Sequence, residues 1–111
     1  MKTFLLAAAA ALPLALGATG ARAEDPTFSL ILKDHRFTPS ELTIPANTKV
    51  RVLVKNEDAT PAEFESDDFK AEKVVPAHHE VTVIIGPLKP GTYEFHDEYH
   101  EAESKSRLIV K

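Results

Sequence analysis

Short apolar runs that alternate residue by residue, each closed by proline, glycine or asparagine, leave this chain little choice but to fold as strands. Phe28, Leu30 and Leu32 alternate with Ser29 and Lys33; Val50, Val52 and Val54 with Lys49, Arg51 and Lys55; Tyr93 and Phe95 with Thr92 and Glu94. Successive side chains of an extended backbone point to opposite faces, so each run describes a half-buried strand. Shorter segments at Glu41 to Ile44, Ala62 to Ser66, Glu72 to Val75, Val81 to Ile85 and Ser104 to Val110 read the same way. Between them lie Phe37-Thr38-Pro39-Ser40, Pro45-Ala46-Asn47, Pro76-Ala77-His78-His79 and the breaker-rich Gly86 to Gly91. The expectation is an all-β, seven- or eight-stranded Greek-key β-sandwich. Ser66-Asp67-Asp68-Phe69 carries cap residues for one helical turn.

The strands begin only after a different kind of segment. Met1 to Ala23 has Lys2, a Leu/Ala run from Phe4 to Leu16, Gly17 and Gly20, and Ala21-Arg22-Ala23 as a cleavage site. That layout is a secretory signal peptide, and its apolar run of about 13 residues falls short of the roughly 20 that a membrane span needs. Residues 1–23 are therefore read as the signal peptide and 24–111 as one exported domain, periplasmic and without membrane insertion. Loss of Lys2 and Arg22 takes two from the 13 basic residues against 17 acids. So acidic a surface argues against nucleic acid and anionic lipid as partners, and it suits cations.

Cysteine is absent and the one methionine is Met1. The exported domain has no sulfur, so it must rely on its core rather than on disulfides. Any metal it binds must be held by nitrogen and oxygen.

The donors for such a site gather after the last alternating run, where His96, Asp97, Glu98, His100, Glu101 and Glu103 follow Tyr93 and Phe95. In extended backbone His96, Glu98 and His100 share one face, and the alternation sends His96 and Glu98 outward and Asp97 toward the core. A solvated strand face explains His96 as well as a metal does. An inward Asp97 is costly unless it is paired or bound to a cation. His35 ends the first strand and is a further candidate ligand at the same tip. His78-His79 are expected in a turn at the opposite end, where they offer at most an adventitious site.

The order of these segments resembles the cupredoxins. The likeness runs through Val50 to Asn56, Pro61, Leu88-Lys89-Pro90-Gly91-Thr92-Tyr93, Phe95, His100 and the closing apolar strand. It is nearer to the EfeO-type cupredoxin-like domain, for which Ala62-Glu63-Phe64-Glu65 and Glu72-Lys73-Val74-Val75-Pro76 also find counterparts. In the blue-copper pattern Asp97 stands where the cysteine would be, His100 matches the histidine, Lys105 falls near the methionine, and Ala62 or Glu63 replaces the upstream histidine. The resemblance therefore implies no type 1 copper centre. It implies instead a site at which His100 and Glu63, with one or more of Glu98, Asp97 and His96, hold Cu(II) or Fe(II)/Fe(III); Mn(II) and Zn(II) suit the same donors.

The function expected from these features is metal binding in periplasmic iron or copper uptake, with a membrane permease and other periplasmic components as partners. Assistance to metal oxidation or electron transfer is the redox extension that the resemblance implies. The alternatives are simple buffering of the ion, and a metal-free sandwich that docks on a transporter. No phosphate loop, H-E-x-x-H helix, cysteine nucleophile or G-x-S-x-G elbow is present.

Overall fold

Nine strands are formed over residues 25–111, which are those that the computed structural model describes. They are β1 (Thr27–Lys33), β2 (Arg36–Thr38), β3 (Glu41–Ile44), β4 (Val50–Asn56), β5 (Ala62–Ser66), β6 (Ala71–Val75), β7 (Glu80–Ile85), β8 (Gly91–Asp97) and β9 (Ser106–Val110). Eight match the alternating runs; the ninth, β2, lies where Phe37-Thr38-Pro39 was expected to break the chain. A 3-10 turn (Glu98–His100) and one helical turn, α1 (Glu101–Ser104), join β8 to β9. The signal-peptide assignment falls on residues outside the described ones.

The strands form two sheets, ordered β2-β1-β4-β7 and β3-β9-β8-β5-β6. Both are mixed, with β1 parallel to β4 and β3 parallel to β9. The runs explain which faces meet. Leu30 and Leu32, Val50, Val52 and Val54, Phe64, Phe95, Leu108 and Val110 are all buried, while their neighbours Arg51, Glu94 and Arg107 face water. Phe37 of β2 packs edge-on against Phe64 and Phe95, with ring centroids 6.0 and 5.2 Å away. That packing holds a three-residue strand in the sheet, since each fully buried phenylalanine contributes about 1.5–3 kcal/mol.

Register fixes strand direction. β1, β4, β6 and β8 run toward one end of the sandwich, and β2, β3, β5, β7 and β9 run away from it. The β1–β2 turn, the β4–β5 loop, the β6–β7 turn and the β8–β9 connection consequently meet at a single pole. Ser66–Phe69 forms no helix. Ser66 Oγ accepts from Phe69 N at 3.2 Å, and Asp68 Oδ2 accepts from Glu94 N at 2.8 Å, which ties a turn to the side of β8.

Candidate metal centre

All five histidines of the chain stand at this pole or on the last turn of strand leading to it. His35 comes from the β1–β2 turn, His78 and His79 from the β6–β7 turn, His96 from the end of β8, and His100 from the 3-10 turn. The expectation that His78-His79 lie at the far end is corrected by two bonds: His78 N donates to Asp58 O at 3.2 Å, and His79 O accepts from Asn56 N at 2.8 Å.

His35 occupies a strained position. Asp34 and His35 are the two central residues of the β1–β2 hairpin, with φ of 51° and 61°. Such turns favour glycine or asparagine, and a left-handed backbone costs other residues about 1–2 kcal/mol. Asp58 offsets part of this: its Oδ1 accepts from Asp34 N at 2.7 Å and its Oδ2 from His35 N at 3.0 Å. Burial alone would raise the Asp58 carboxyl, but these backbone donors and the His35 and His100 rings outweigh it and hold the acid below its ordinary value. Asp58 is held in turn by the fully buried Asn56, whose Oδ1 accepts from Asp58 N at 2.9 Å while Nδ2 donates to Thr60 O at 2.9 Å and Val75 O at 3.1 Å.

Asp97 points inward, as alternation requires, and is completely buried. It needs no cation for charge compensation, because Oδ1 accepts from Glu63 N at 2.9 Å and Tyr99 N at 3.0 Å, and Oδ2 lies 3.2 Å from His100 Nδ1. Buried Ser104 of α1 closes the loop by accepting from Asp97 N at 2.7 Å and donating to His100 O at 2.8 Å. This turn brings His100 against His35. Their rings stack with centroids 3.5 Å apart and planes 13° from parallel. One donor atom from each of His35, Asp97 and His100 lies within 4.8 Å of the others.

The remaining expected ligands form a separate group. Extended backbone ends at Asp97, so His100 does not share a face with His96 and Glu98. His96 Nε2 lies 2.8 Å from Glu98 Oε1 on the outer face of the five-stranded sheet. There Glu65 stands directly opposite both His96 on β8 and Glu72 on β6. Glu63 belongs with Glu65 and Glu72, not with His100. Partial burial, followed by the neighbouring carboxylates, raises the Glu63 and Glu65 carboxyls above their ordinary value. Of the six residues anticipated from sequence, His35, Asp97 and His100 meet at the pole, and Glu63, His96 and Glu98 lie outside the sheet. Asp58, Asn56 and Ser104 were missed. Asn56-x-Asp58 carries the signature of side chains that cap their own turn, whereas nothing local marks Ser104.

The described residues form a β-sandwich whose loops gather imidazoles over a buried carboxylate, and comparison with known proteins specifies the family. The cupredoxin-like domain family matches residues 5–110, and the chain belongs to it. The chain is 40% identical over 81 residues to the uncharacterized protein RP394 of Rickettsia prowazekii, a match spanning 73% of this chain and 65% of that protein. It is similar in structure to a purple cupredoxin from Nitrosopumilus maritimus (TM-score 0.58, 17% identity, 75% of this chain and 98% of the other). Reduced auracyanin from Roseiflexus castenholzii superposes with a TM-score of 0.65 at 19% identity, over 80% of this chain and 99% of the other. A Cu(I) form of an amicyanin variant gives 0.63 at 14% identity, over 82% and 88%. These likenesses concern the fold.

Thiolate-bound copper does not fit this pole. The chain has no cysteine, and Asp97, at the position that the resemblance gives to the thiolate, is already engaged by two backbone amides and a ring nitrogen. The donor types suit an ion held chiefly by imidazole, which the two stacked rings could share once they tilt apart. His35 and His100 are half-buried, on rigid turns, with carboxylates behind them.

Proposed function

We propose that the protein is an exported metal carrier that takes up a transition-metal ion at the pole through His35 and His100. It serves iron or copper acquisition in the periplasm and passes its cargo to a membrane permease or another periplasmic component. The observation that carries this reading is the gathering of four of the five histidines, His35, His78, His79 and His100, at one end of the sandwich by three different segments. Chance placement of surface histidines would populate both ends. That His35 is kept at a positive-φ position, where glycine would be less strained, points the same way.

The donor chemistry suits Cu(II), Zn(II) and iron and disfavours ions that seek sulfur. Copper or iron, when bound, would add one-electron redox chemistry. The protein's own part is to position two imidazoles and to lower the charge barrier to a cation with its acidic surround. The relation to EfeO-type proteins, and the exported location, belong to this proposal and rest on the sequence motifs and the leader.

His35→Gly tests the reading better than alanine, because glycine relieves the turn while deleting the ligand. Calorimetric titration with Cu(II) and Zn(II) should show binding to the wild-type protein. At least tenfold weaker binding is expected in His35→Gly and His100→Ala, with the stability of His35→Gly within about 1 kcal/mol of wild type. Equal affinity in all three proteins would exclude the site. No binding by the wild-type protein would favour the metal-free docking module, which full internal pairing of Asp97 also permits.

A further inference from the structure

Two carboxylates take matching stations around the histidine stack. Each is clamped by two backbone amides: Asp97 by Glu63 N and Tyr99 N, Asp58 by Asp34 N and His35 N. Each also faces the Nδ1 of one ring, Asp97 Oδ2 lying 3.2 Å from His100 Nδ1 and Asp58 Oδ2 lying 3.6 Å from His35 Nδ1. An ionised carboxylate only accepts, and a neutral imidazole carries one N–H. At 3.2 Å the His100 nitrogen that faces Asp97 must therefore be the protonated one, and its lone pair is left on Nε2.

We infer that Asp97 is a positioning residue and not a metal ligand. It fixes His100 as the Nδ1–H tautomer, so this ring offers a cation its Nε2, while Asp58, 3.6 Å from His35 Nδ1 and beyond hydrogen-bond reach, favours the same tautomer of His35 through its charge alone. The inference rests on the proposed metal carriage for its purpose, although the tautomer itself is a property of the ion-free protein. It also changes the part played by the residue at the resembled family's thiolate position: Asp97 orients and polarises a ligand from behind, as carboxylates do behind metal-bound histidines. Its two amide bonds make this economical, because the same side chain anchors β5 to β8 and aims the ring.

Asp97→Asn separates orientation from packing. The amide keeps an oxygen for Glu63 N and Tyr99 N but presents an N–H₂ donor to His100 Nδ1, which drives the ring proton to Nε2. Replacing an orienting aspartate in this way leaves geometry intact and selects the wrong tautomer. Long-range ¹H–¹⁵N spectra of the purified ion-free protein at a pH where both rings are neutral should show protonated Nδ1 on His35 and His100. In Asp97→Asn, His100 should switch to protonated Nε2 and His35 should not. Zn(II) should perturb Nε2 of both rings in the wild-type protein and bind Asp97→Asn about 10–100-fold more weakly. Asp58→Asn should leave His100 as the Nδ1–H tautomer, and if Asp97→Asn does not fold the His100 tautomer of the ion-free wild type carries the test by itself. Protonated Nε2 on His100 in the ion-free wild type would overturn the inference. So would Zn(II) bound through Nδ1, while leaving the carrier reading intact. Failure of the wild type to bind Zn(II) would remove the carrier reading, whatever the tautomers.

Discussion

The imidazoles of His35 and His100 lie face to face, centroids 3.5 Å apart and 13° from parallel, although one belongs to a turn of the four-stranded sheet and the other to a turn leaving the five-stranded sheet. The contact therefore closes the top of the sandwich. Lone pairs in two nearly parallel ring planes do not converge, so an ion shared by both rings must tilt them apart. The geometry is that of a paired but closed site, with both rings backed by carboxylates that are themselves tied to the backbone.

Ser104 should matter to both stability and affinity. Its hydroxyl is buried, accepts from Asp97 N at 2.7 Å and donates to His100 O at 2.8 Å. Ser104→Ala leaves an amide and a carbonyl without their partner, a loss of about 1–3 kcal/mol. Thermal unfolding should show a Tm lower by several degrees, and Zn(II) affinity should fall with it because His100 loses its support. An unchanged Tm would mean that the loop does not depend on this hydroxyl.

Acid should loosen the His35 turn through Asp58. Its folded carboxyl lies below the ordinary value of 3.8, so the stability it contributes is present above that value and lost as pH falls through the lower folded one. Asp58→Asn should accordingly be less stable than wild type at pH 7 and nearly equal to it in strong acid. Denaturant titrations across pH 2–7 that kept a constant gap between the two proteins would contradict this.

The outer acidic row should behave in the opposite sense. Glu65 lies between Glu72 and His96 across three strands. Its carboxyl is raised above 4.5, first by partial burial and then by Glu98, Glu63 and Glu72. The linked stability is present below the ordinary value and lost as pH rises through the folded one, so ionised Glu65 opposes folding at neutral pH. Glu65→Gln should raise Tm at pH 7, and the gain should shrink in molar salt and vanish in acid. A lower Tm for Glu65→Gln at pH 7 would show that the carboxylate is compensated after all.

The strands were legible in the sequence because water on one face and core on the other impose a period of two, and that period survives in Leu30/Leu32, Val50/Val52/Val54 and Tyr93/Phe95. β2 was not, because a three-residue strand beside Pro39 has no period to read; only Phe37 packing on Phe64 and Phe95 explains it. Periodicity also says nothing about direction. Each strand added to the count reverses the end at which the next turn lies, so a count left at seven or eight does not fix the end at which His78-His79 stand. The donor types at the tip could be seen, but their partition could not. Extended backbone stops at Asp97, and the 3-10 turn that follows rotates His100 away from His96 and Glu98. That turn depends on Asp97 accepting from Tyr99 N, a bond between neighbours that no alternation pattern predicts.

Strand direction has one more consequence. β1 begins and β9 finishes at the end of the sandwich away from the histidines, where Arg51 N meets Pro26 O and Lys111 N meets Ile44 O. Anything tethered next to either end of the described domain, such as an affinity tag or an electrode surface, therefore holds it by its base and leaves the imidazole end pointing outward. The pole of immobilised protein should therefore be as open to ions in solution as that of the protein in bulk.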